Sequence, residues 1–459
     1  MRYKIGFLVR ALPVAILAGI IAMWLAAPAS AVPAFTRQTN MSCNQCHTAH
    51  GGPIPNFTMT GKKFRSTGYR LVDVRDAIES GVEGEQGERL RLPLLDYMSF
   101  RLQSILATAS KDPVSGKWGE TATNPTTRLA FFWVGPIGDH LGIWNEWYFH
   151  TLGSRDQEWS LDLASWDEYD IRYIFNPKNP DYQIGMGLTN MPVSDLQGFG
   201  PFPVFIGGGQ TQRGEIQGLA HPNYGTAFLS GWMFDRWVWL VAGNTGDNNV
   251  GWDYSNVIWQ LGYALMNTNA DELWIHAVGR SGNDVIPLVT QNFVVDRGRD
   301  WSYRDAVGGV TDTRPAGAGS YLARDIDKAN TVEGELRWSR QDWGPHSYEA
   351  VARVGWSKDD YRDGASTDLM TVGVDILYGW KHTYYAMPFV GTRTTYDFTD
   401  RTGHKYSIDN SPTYGCNFGY KPTENFLLNL QIINTQNLYI NEKADDKGLS
   451  LSLYIDYLL

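Results

Sequence analysis

From about residue 93 to the carboxy terminus, the chain consists of short segments in which apolar and polar residues alternate. The last segment is the clearest example, because its alternate positions are apolar: Leu449, Leu451, Leu453, Ile455, Tyr457 and Leu459. The positions between them carry Ser450, Ser452, Tyr454 and Asp456. A period of two residues is that of a β-strand whose two faces meet different surroundings. The pattern recurs with charged residues in mid-strand, where Glu333, Glu335 and Arg337 oppose Val332, Leu336 and Trp338.

Sixteen such segments are predicted as strands: residues 94–107, 126–135, 140–152, 163–176, 182–191, 224–234, 237–245, 256–266, 272–281, 328–340, 346–358, 367–380, 382–398, 406–421, 425–437 and 448–459. Alternation alone also fits a soluble sandwich. The connections, however, alternate in length: each short connection is followed by one that is mostly longer. Such alternation of tight turns and long loops is typical of transmembrane β-barrels. We therefore predict an all-β fold, an antiparallel, porin-like transmembrane β-barrel of about 16 strands.

The strand count also predicts the orientation of the barrel. If the amino terminus starts in the periplasm, every long loop lies on the external side. The stretch 285–296 also resembles a strand, but counting it would make the number odd and reverse every later loop, so we assign it to a long loop. A barrel of this size leaves an aqueous interior in which a small additional segment fits.

Aromatic residues near the strand ends are expected to form a girdle at the membrane interface. They are Trp144, Trp147, Tyr148, Trp232, Trp237 and Trp239. Cys416 alternates with Tyr414 and Phe418 on an apolar face and is expected to be inert.

Residues 1–31 have the three parts of a secretory signal peptide. Arg2, Lys4 and Arg10 form a positive region, residues 11–27 are largely apolar, and Ala29-Ser30-Ala31 is a small-residue cleavage site. A retained membrane anchor is the alternative, although the apolar run is shorter than the ~20 residues that a spanning helix needs. We expect export and an outer-membrane location.

Composition agrees with an exported barrel and excludes some partners. The chain has 48 Gly, 18 Trp and 24 Tyr but only 3 Cys, and its 39 Lys plus Arg face 49 Asp plus Glu, giving a net charge of −10. An acidic chain is a poor nucleic-acid binder but attracts cations. We therefore expect membrane lipid around the barrel and no nucleic-acid partner.

The motif that carries chemistry is Cys43-Asn44-Gln45-Cys46-His47. Two thiols three residues apart and an adjacent imidazole are what covalent attachment of a c-type haem requires, with His47 as the proximal iron ligand. A thioredoxin-like disulfide and half of a zinc site are the alternatives. A thioredoxin-like disulfide normally lies in a βαβ context, which is missing here. A zinc site needs further ligands that Cys416 alone does not supply. One haem c is the predicted cofactor.

The residues around this motif resemble the fused outer-membrane monohaem cytochrome-porins of iron-oxidising bacteria. The resemblance rests on the run from Pro33 to Thr39, the haem motif, Pro55 and Phe57, and the run from Gly61 to Tyr69. It covers some 40 residues closely, whereas the barrel matches only in length and architecture. It departs from the family pattern at Thr36 and Thr60, and the segment from Thr48 to Ile54 is longer by about three residues.

The resemblance implies a domain order of signal peptide (1–31), monohaem cytochrome c segment (32–92) and outer-membrane barrel (93–459). It also implies an electron-transfer protein that acts as an iron(II) oxidase, taking electrons from extracellular Fe(II) and passing them to a periplasmic c-type cytochrome or another carrier. Outward electron transfer to external acceptors and a diffusion porin with a redox cap are the alternatives. The sequence does not specify the oligomeric state.

Further residues near the motif have open roles. The distal haem ligand has three candidates: His50, Met59 and a barrel residue such as His150. Arg37 is a candidate for contact with a haem propionate, because its guanidinium suits bidentate carboxylate binding. Lys62, Lys63 and Arg65 either pair with the propionates or form a solvated basic face.

Overall fold

The computed structural model describes residues 33–39, 41, 43–47, 57–70, 97–111, 126–149, 165–179, 181–189, 226–247, 251–268, 271–282, 291–296, 300–305, 326–343, 345–361, 364, 366–381, 383–399, 405–407, 413–423, 426–436 and 447–458. Three short helices come first in these residues: α1 (Pro33–Thr39), α2 (Cys43–Cys46) and α3 (Met59–Ser66). None of the helices in the described part of the chain is long and apolar enough to cross a membrane. The predicted signal peptide and His50 lie outside the described residues.

The rest of the described chain is β-structure. The strands are β1 (Met98–Lys111), β2 (Thr126–Ile137), β3 (Leu141–Phe149), β4 (Ser165–Ile174), β5 (Tyr182–Thr189), β6 (Thr226–Met233), β7 (Trp237–Asp247), β8 (Gly251–Asn267), β9 (Asp271–Gly282), β10 (Gln291–Asp296), β11 (Asp300–Asp305), β12 (Ile326–Trp343), β13 (His346–Tyr361), β14 (Ser366–Trp380), β15 (Tyr384–Thr399), β16 (Lys405–Ser407), β17 (Thr413–Thr423), β18 (Phe426–Gln436) and β19 (Lys447–Leu458). Sixteen of them form one antiparallel meander, and the short β16 extends the ladder beside β15.

The meander closes into a barrel because its first and last strands pair. β1 and β19 run antiparallel from the pair Arg101 and Leu458 to the pair Lys111 and Leu449. Closure removes the unpaired strand edges that an open sheet would expose. The fold predicted from alternation and loop rhythm is therefore confirmed.

The alternation separates two faces as predicted. On β12, Val332 and Leu336 are 45% and 47% exposed, whereas Glu333 and Glu335 are 1% and 3% exposed. The outward face carries an apolar belt around the barrel, which includes Phe100, Leu102, Leu129, Trp133, Leu188, Leu229, Val241, Leu261, Ile275, Leu336, Val354, Ile376, Val390, Phe418 and Leu430. A belt of this extent would aggregate in water, so it is the face that contacts lipid in a transmembrane barrel.

Most predicted strand ends agree with the observed ones to within five residues, and one strand is split. The predicted strand 406–421 is observed as β16 and β17, and residues 408–412 between them lie outside the described residues. Of the stretch 285–296, the structure describes residues 291–296. They form strand β10 rather than loop, but β10 pairs with β11 in a hairpin separate from the barrel sheet, so these residues are no part of the barrel wall, as predicted.

The aromatic girdle was predicted correctly only in part. Trp237 is 39% exposed at the start of β7, as a girdle residue should be. Trp144 and Trp232 are instead buried on the inner face, at 5% and 0% exposure. Their predicted interfacial role is wrong because their strand parity directs them into the lumen, where they meet the amino-terminal helices.

Candidate haem-attachment site inside the barrel

The haem-attachment motif forms one helical turn followed by an extended residue. Cys43 and Cys46 are the first and last residues of α2, so their three-residue separation places them on neighbouring positions of the turn. His47 follows directly and pairs with Phe57 in an isolated antiparallel bridge. The rings of His47 and Phe57 have centroids 5.0 Å apart, and both Cys46 and His47 are half-buried.

Thr58 joins this turn to helix α3. It is the N-cap of α3, and its Oγ1 accepts a hydrogen bond of 3.1 Å from the backbone N–H of Gly61. The same hydroxyl donates to the carbonyl of Gln45 at 2.7 Å, and the Thr58 N–H donates to the carbonyl of Cys46 at 3.0 Å. One residue therefore begins α3 and fixes it to α2.

Gly61 allows the two helices to approach closely. A Cβ placed on Gly61 would lie 2.1 Å from the carbonyl oxygen of Cys46 and 2.9 Å from the ring of Phe57. No side chain larger than hydrogen fits there without moving the backbone that carries the haem-attachment motif.

Helix α3 ends in a Schellman motif. The N–H of Tyr69 donates to the carbonyl of Phe64 at 2.8 Å, and the N–H of Gly68 donates to that of Arg65 at 3.1 Å. Gly68 has the left-handed φ of +73° that this motif requires. A Cβ on Gly142 of strand β3 would lie 2.4 Å from the Gly68 carbonyl oxygen, so the end of α3 rests backbone against backbone on the barrel wall.

The described residues between 33 and 70, which we call the amino-terminal segment, pack on the inner face of the barrel. An aromatic cluster brings Phe35, Phe64 and Tyr69 against Trp144 of β3. The cluster also contains the buried wall residues Ala130, Phe132 and Val134 of β2. These wall residues alternate with the outward-facing Leu129 and Trp133, which shows that the segment lies inside the barrel.

A second apolar cluster surrounds Met59, the first residue of α3. Its wall members are Phe228, Trp232, Val238, Leu240, Ala242, Ile258, Ala264, Trp274 and Val278. The backbone N–H of Met59 also donates to Oε1 of Glu272 at 2.8 Å. Met59 therefore contributes to docking of the segment on strands β6 to β9, and a role as distal haem ligand stays a prediction.

The docking site is the end of the barrel that carries the short turns. The Arg70 guanidinium donates to the carbonyls of Gly138 and Leu141, at 2.7 and 2.5 Å, at the turn between β2 and β3. Lys63 forms an ion pair of 3.0 Å with Asp235, in the turn between β6 and β7. The segment therefore contacts the end of the barrel that carries the short turns, and the periplasmic orientation of that end stays a prediction.

The three basic residues of α3 do not form a solvated face. Lys62 and Arg65 are 0% and 1% exposed. Lys62 Nζ donates to the carbonyl of Phe57 at 2.8 Å and lies 4.5 Å from the ring centroid of Trp274. Burial, assisted by the positive charge of Arg337, lowers the pKa of Lys62 to about 7, although Glu272, Glu349 and Glu335 act in the opposite direction.

The predicted ligand residues that the structure describes are consistent with covalent haem. The motif forms an ordered turn, its histidine is next in the chain, and an aromatic ring packs beside that histidine. Burial raises the pKa of the Cys46 thiol to about 12, whereas a redox-active CxxC needs a thiol whose pKa is lowered. Arg37 lies in α1, and its side chain, like that of Cys43 and all of His150, is outside the described residues.

Many of the described inner-face residues, on strands from β1 to β18, are closed to solvent. Polar residues on the inner face are almost fully buried, including Ser99, Asp170, Gln183, Ser230, Gln260, Ser347, Asn417, Asn429 and Gln431, at 2% exposure or less. In a barrel with an open aqueous channel these side chains would be wet. The predicted interior space is therefore filled where these buried side chains lie.

Comparisons with known solved structures include outer-membrane proteins and porins. No family model and no curated protein matches the chain. Among solved structures, the loop L8 deletion mutant of OmpT from Vibrio cholerae is 8% identical, with a TM-score of 0.49 over 79% of this chain and 98% of that one. OprB of Pseudomonas putida is 10% identical, with a TM-score of 0.46 over 82% of this chain and 96% of that one. An anion-selective porin from Comamonas acidovorans is 10% identical, with a TM-score of 0.44 over 79% and 98%. The barrel assignment rests on the observed strand pairing rather than on these similarities.

Fold and site together define a sixteen-stranded antiparallel β-barrel with an internal amino-terminal segment. That segment presents a Cys-x-x-Cys-His turn at the end of the barrel with the short turns.

Proposed function

We propose that this protein is an outer-membrane electron conduit that uses one c-type haem, held by Cys43, Cys46 and His47. It takes electrons from extracellular Fe(II) and passes them to a periplasmic cytochrome or another carrier. The observation that carries the proposal is that the Cys-x-x-Cys-His turn is joined to a helix, α3, that is docked inside a closed transmembrane barrel. The outward apolar belt supports an outer-membrane location.

Each part of the site has a role in this proposal. A c-type haem, when bound, supplies one-electron exchange between ferrous and ferric iron. Cys43 and Cys46 tether it by thioether bonds, and His47 supplies the proximal nitrogen. Thr58 and Gly61 hold the attachment turn against α3, and the clusters around Met59 and Phe64 hold α3 against the wall. The barrel separates this unit from lipid and limits its exposure to water, which influences the redox potential.

The buried inner wall favours a conduit over an open diffusion porin. A channel for solutes needs a continuous wetted path, and the described inner-face residues are largely buried. Electrons need no such path. An oxidised metal product then stays outside the cell while only the electron crosses.

The decisive experiment is an absorption spectrum of the purified protein before and after addition of ferrous iron. We expect a Soret band and a pyridine haemochrome typical of c-type haem, and reduction of the ferric protein by Fe(II). Protein without a Soret band would overturn the proposal. Haem that Fe(II) fails to reduce, with a strongly negative midpoint potential, would favour outward electron transfer instead.

A further inference from the structure

The amino-terminal segment is fixed to the wall at one buried carboxylate, Asp170 of strand β4. Asp170 is fully buried and accepts a hydrogen bond of 2.8 Å from Arg65 Nη2 and one of 3.1 Å from the Tyr69 hydroxyl. Arg172, two residues along the same strand, donates to it from Nε and Nη2, the latter at 2.6 Å. Arg65 and Tyr69 belong to the segment, whereas Asp170 and Arg172 belong to the barrel. We name these four residues the clasp.

The clasp is a fully buried charged contact, whereas the ion pair of Lys63 with Asp235 lies partly exposed at the turn between β6 and β7. Phe64 and Tyr69 pack on Trp144 beside the clasp, and Gly68 lies against Gly142. Arg172 is held from its other side by Phe228, whose ring centroid is 5.0 Å from the guanidinium carbon. Arg172 and Asp170, the wall half of the clasp, are thus also held by contacts within the barrel itself.

The electrostatics make docking depend on the negative charge of Asp170. In the docked state its carboxylate faces two guanidinium groups in a site without solvent. Without that charge, Arg65 and Arg172 would be two buried cations that repel each other. Removing one partner of a buried ion pair leaves an uncompensated charge, and the segment can relieve it by leaving the wall.

We propose that the clasp at Asp170 keeps the barrel lumen closed, and that this chain carries a latent diffusion-pore activity for small hydrophilic solutes and ions. The segment is the stopper, and sixteen strands enclose a lumen wide enough for an aqueous channel once it is displaced. This inference concerns passive permeation and does not depend on the haem.

The test measures conductance of the full-length protein in planar bilayers with potassium chloride. We expect the wild-type protein to be closed and Asp170→Asn to conduct steadily. The loss of a buried charge partner shifts the docking equilibrium by roughly two to three orders of magnitude toward the open state. Asp375→Asn is the matched control, because Asp375 is also a nearly buried inner-wall carboxylate but accepts a hydrogen bond from Arg353 of the wall rather than from the segment.

A second variant tests the clasp from the segment side. Arg65→Met keeps most of the apolar stem and removes the charge, and it leaves the barrel wall unaltered. We expect it to open the pore less often than Asp170→Asn, because Asp170 keeps Arg172 as its partner and only the bond between segment and wall is lost. In both variants a protease added from the short-turn side should cut residues 33–70 faster than in the wild type. Heat-modifiable migration in gel electrophoresis checks that each barrel has folded.

The outcomes separate the alternatives. A folded Asp170→Asn barrel that stays closed overturns the proposal, and so does wild-type protein that already conducts. Equal opening by Asp375→Asn would show that any loss of wall charge opens the barrel, which also overturns it. Haem content is measured in the same samples, so a protein without haem would refute the electron conduit and leave the conductance result to decide this inference.

Discussion

Substitution of Gly61 by alanine tests whether helix α3 determines the position of the haem-attachment turn. The added Cβ would lie 2.1 Å from the Cys46 carbonyl oxygen, so α2 and α3 must separate by about 1 Å to restore van der Waals contact. The same carbonyl accepts the Thr58 N–H at 3.0 Å, and separation stretches that hydrogen bond.

The expected cost follows from three terms. Overpacking costs about 1–3 kcal/mol, the weakened hydrogen bond costs about 1 kcal/mol, and the better helix propensity of alanine returns about 1 kcal/mol. The net loss is about 1–3 kcal/mol, or roughly 5- to 150-fold in the equilibrium between packed and displaced attachment turn.

The assay is amide hydrogen exchange of residues 43–47 and 58–61, together with haem content per barrel. We expect faster exchange at these residues and less haem in Gly61→Ala than in the wild type. Gly334→Ala is the control, because the nearest atom to its Cβ is 3.8 Å away. If Gly61→Ala exchanges at the wild-type rate, α2 does not depend on its contact with α3.

Three further substitutions test individual contacts of the segment. Thr58→Val removes the N-cap and the bond to Gln45, so we expect the segment to lose about 1–2 kcal/mol of local stability in hydrogen exchange, whereas Thr58→Ser should stay near the wild type. Lys62 has a pKa of about 7 when docked against an ordinary value of 10.5, so the undocked state binds more protons between these pH values. Docking should therefore strengthen by up to about 1.4 kcal/mol per pH unit from pH 7 to 10.5, measured as protease resistance, and Lys62→Met should abolish this rise. Met59→Leu keeps an apolar side chain of similar volume in the Met59 cluster, so we expect an unchanged ferric haem spectrum and a stability loss below about 1.5 kcal/mol; a changed axial-ligand signature would identify Met59 as the distal ligand.

The barrel was predictable because the alternation that defines the two faces of a strand lies within the sequence of that strand. Val332 and Leu336 had to face lipid once Glu333 and Glu335 alternated with them, and the register of a strand with period two cannot slip by one residue without reversing every side chain. The haem motif was likewise local, since Cys43, Cys46 and His47 lie within five consecutive positions.

The docking of the segment was not predictable, because it depends on pairs that are far apart in the chain. Arg65 and Asp170 are separated by 105 residues, and Met59 and Glu272 by 213. The alternating pattern indicated only that Asp170 and Arg172 face the lumen. The sequence of one strand does not show which distant residues its lumen-facing side chains contact. Trp144 shows the same limit, since an aromatic residue near a strand end suits both an interfacial girdle and an internal contact. A charge in mid-strand on the inner face of a barrel fits a wetted channel or a docked segment equally well. The wetted channel and the docked segment are distinguished by whether a residue elsewhere in the chain pairs with that charge. Asp170 accepts hydrogen bonds from Arg65 and Tyr69, which lie outside the barrel sequence.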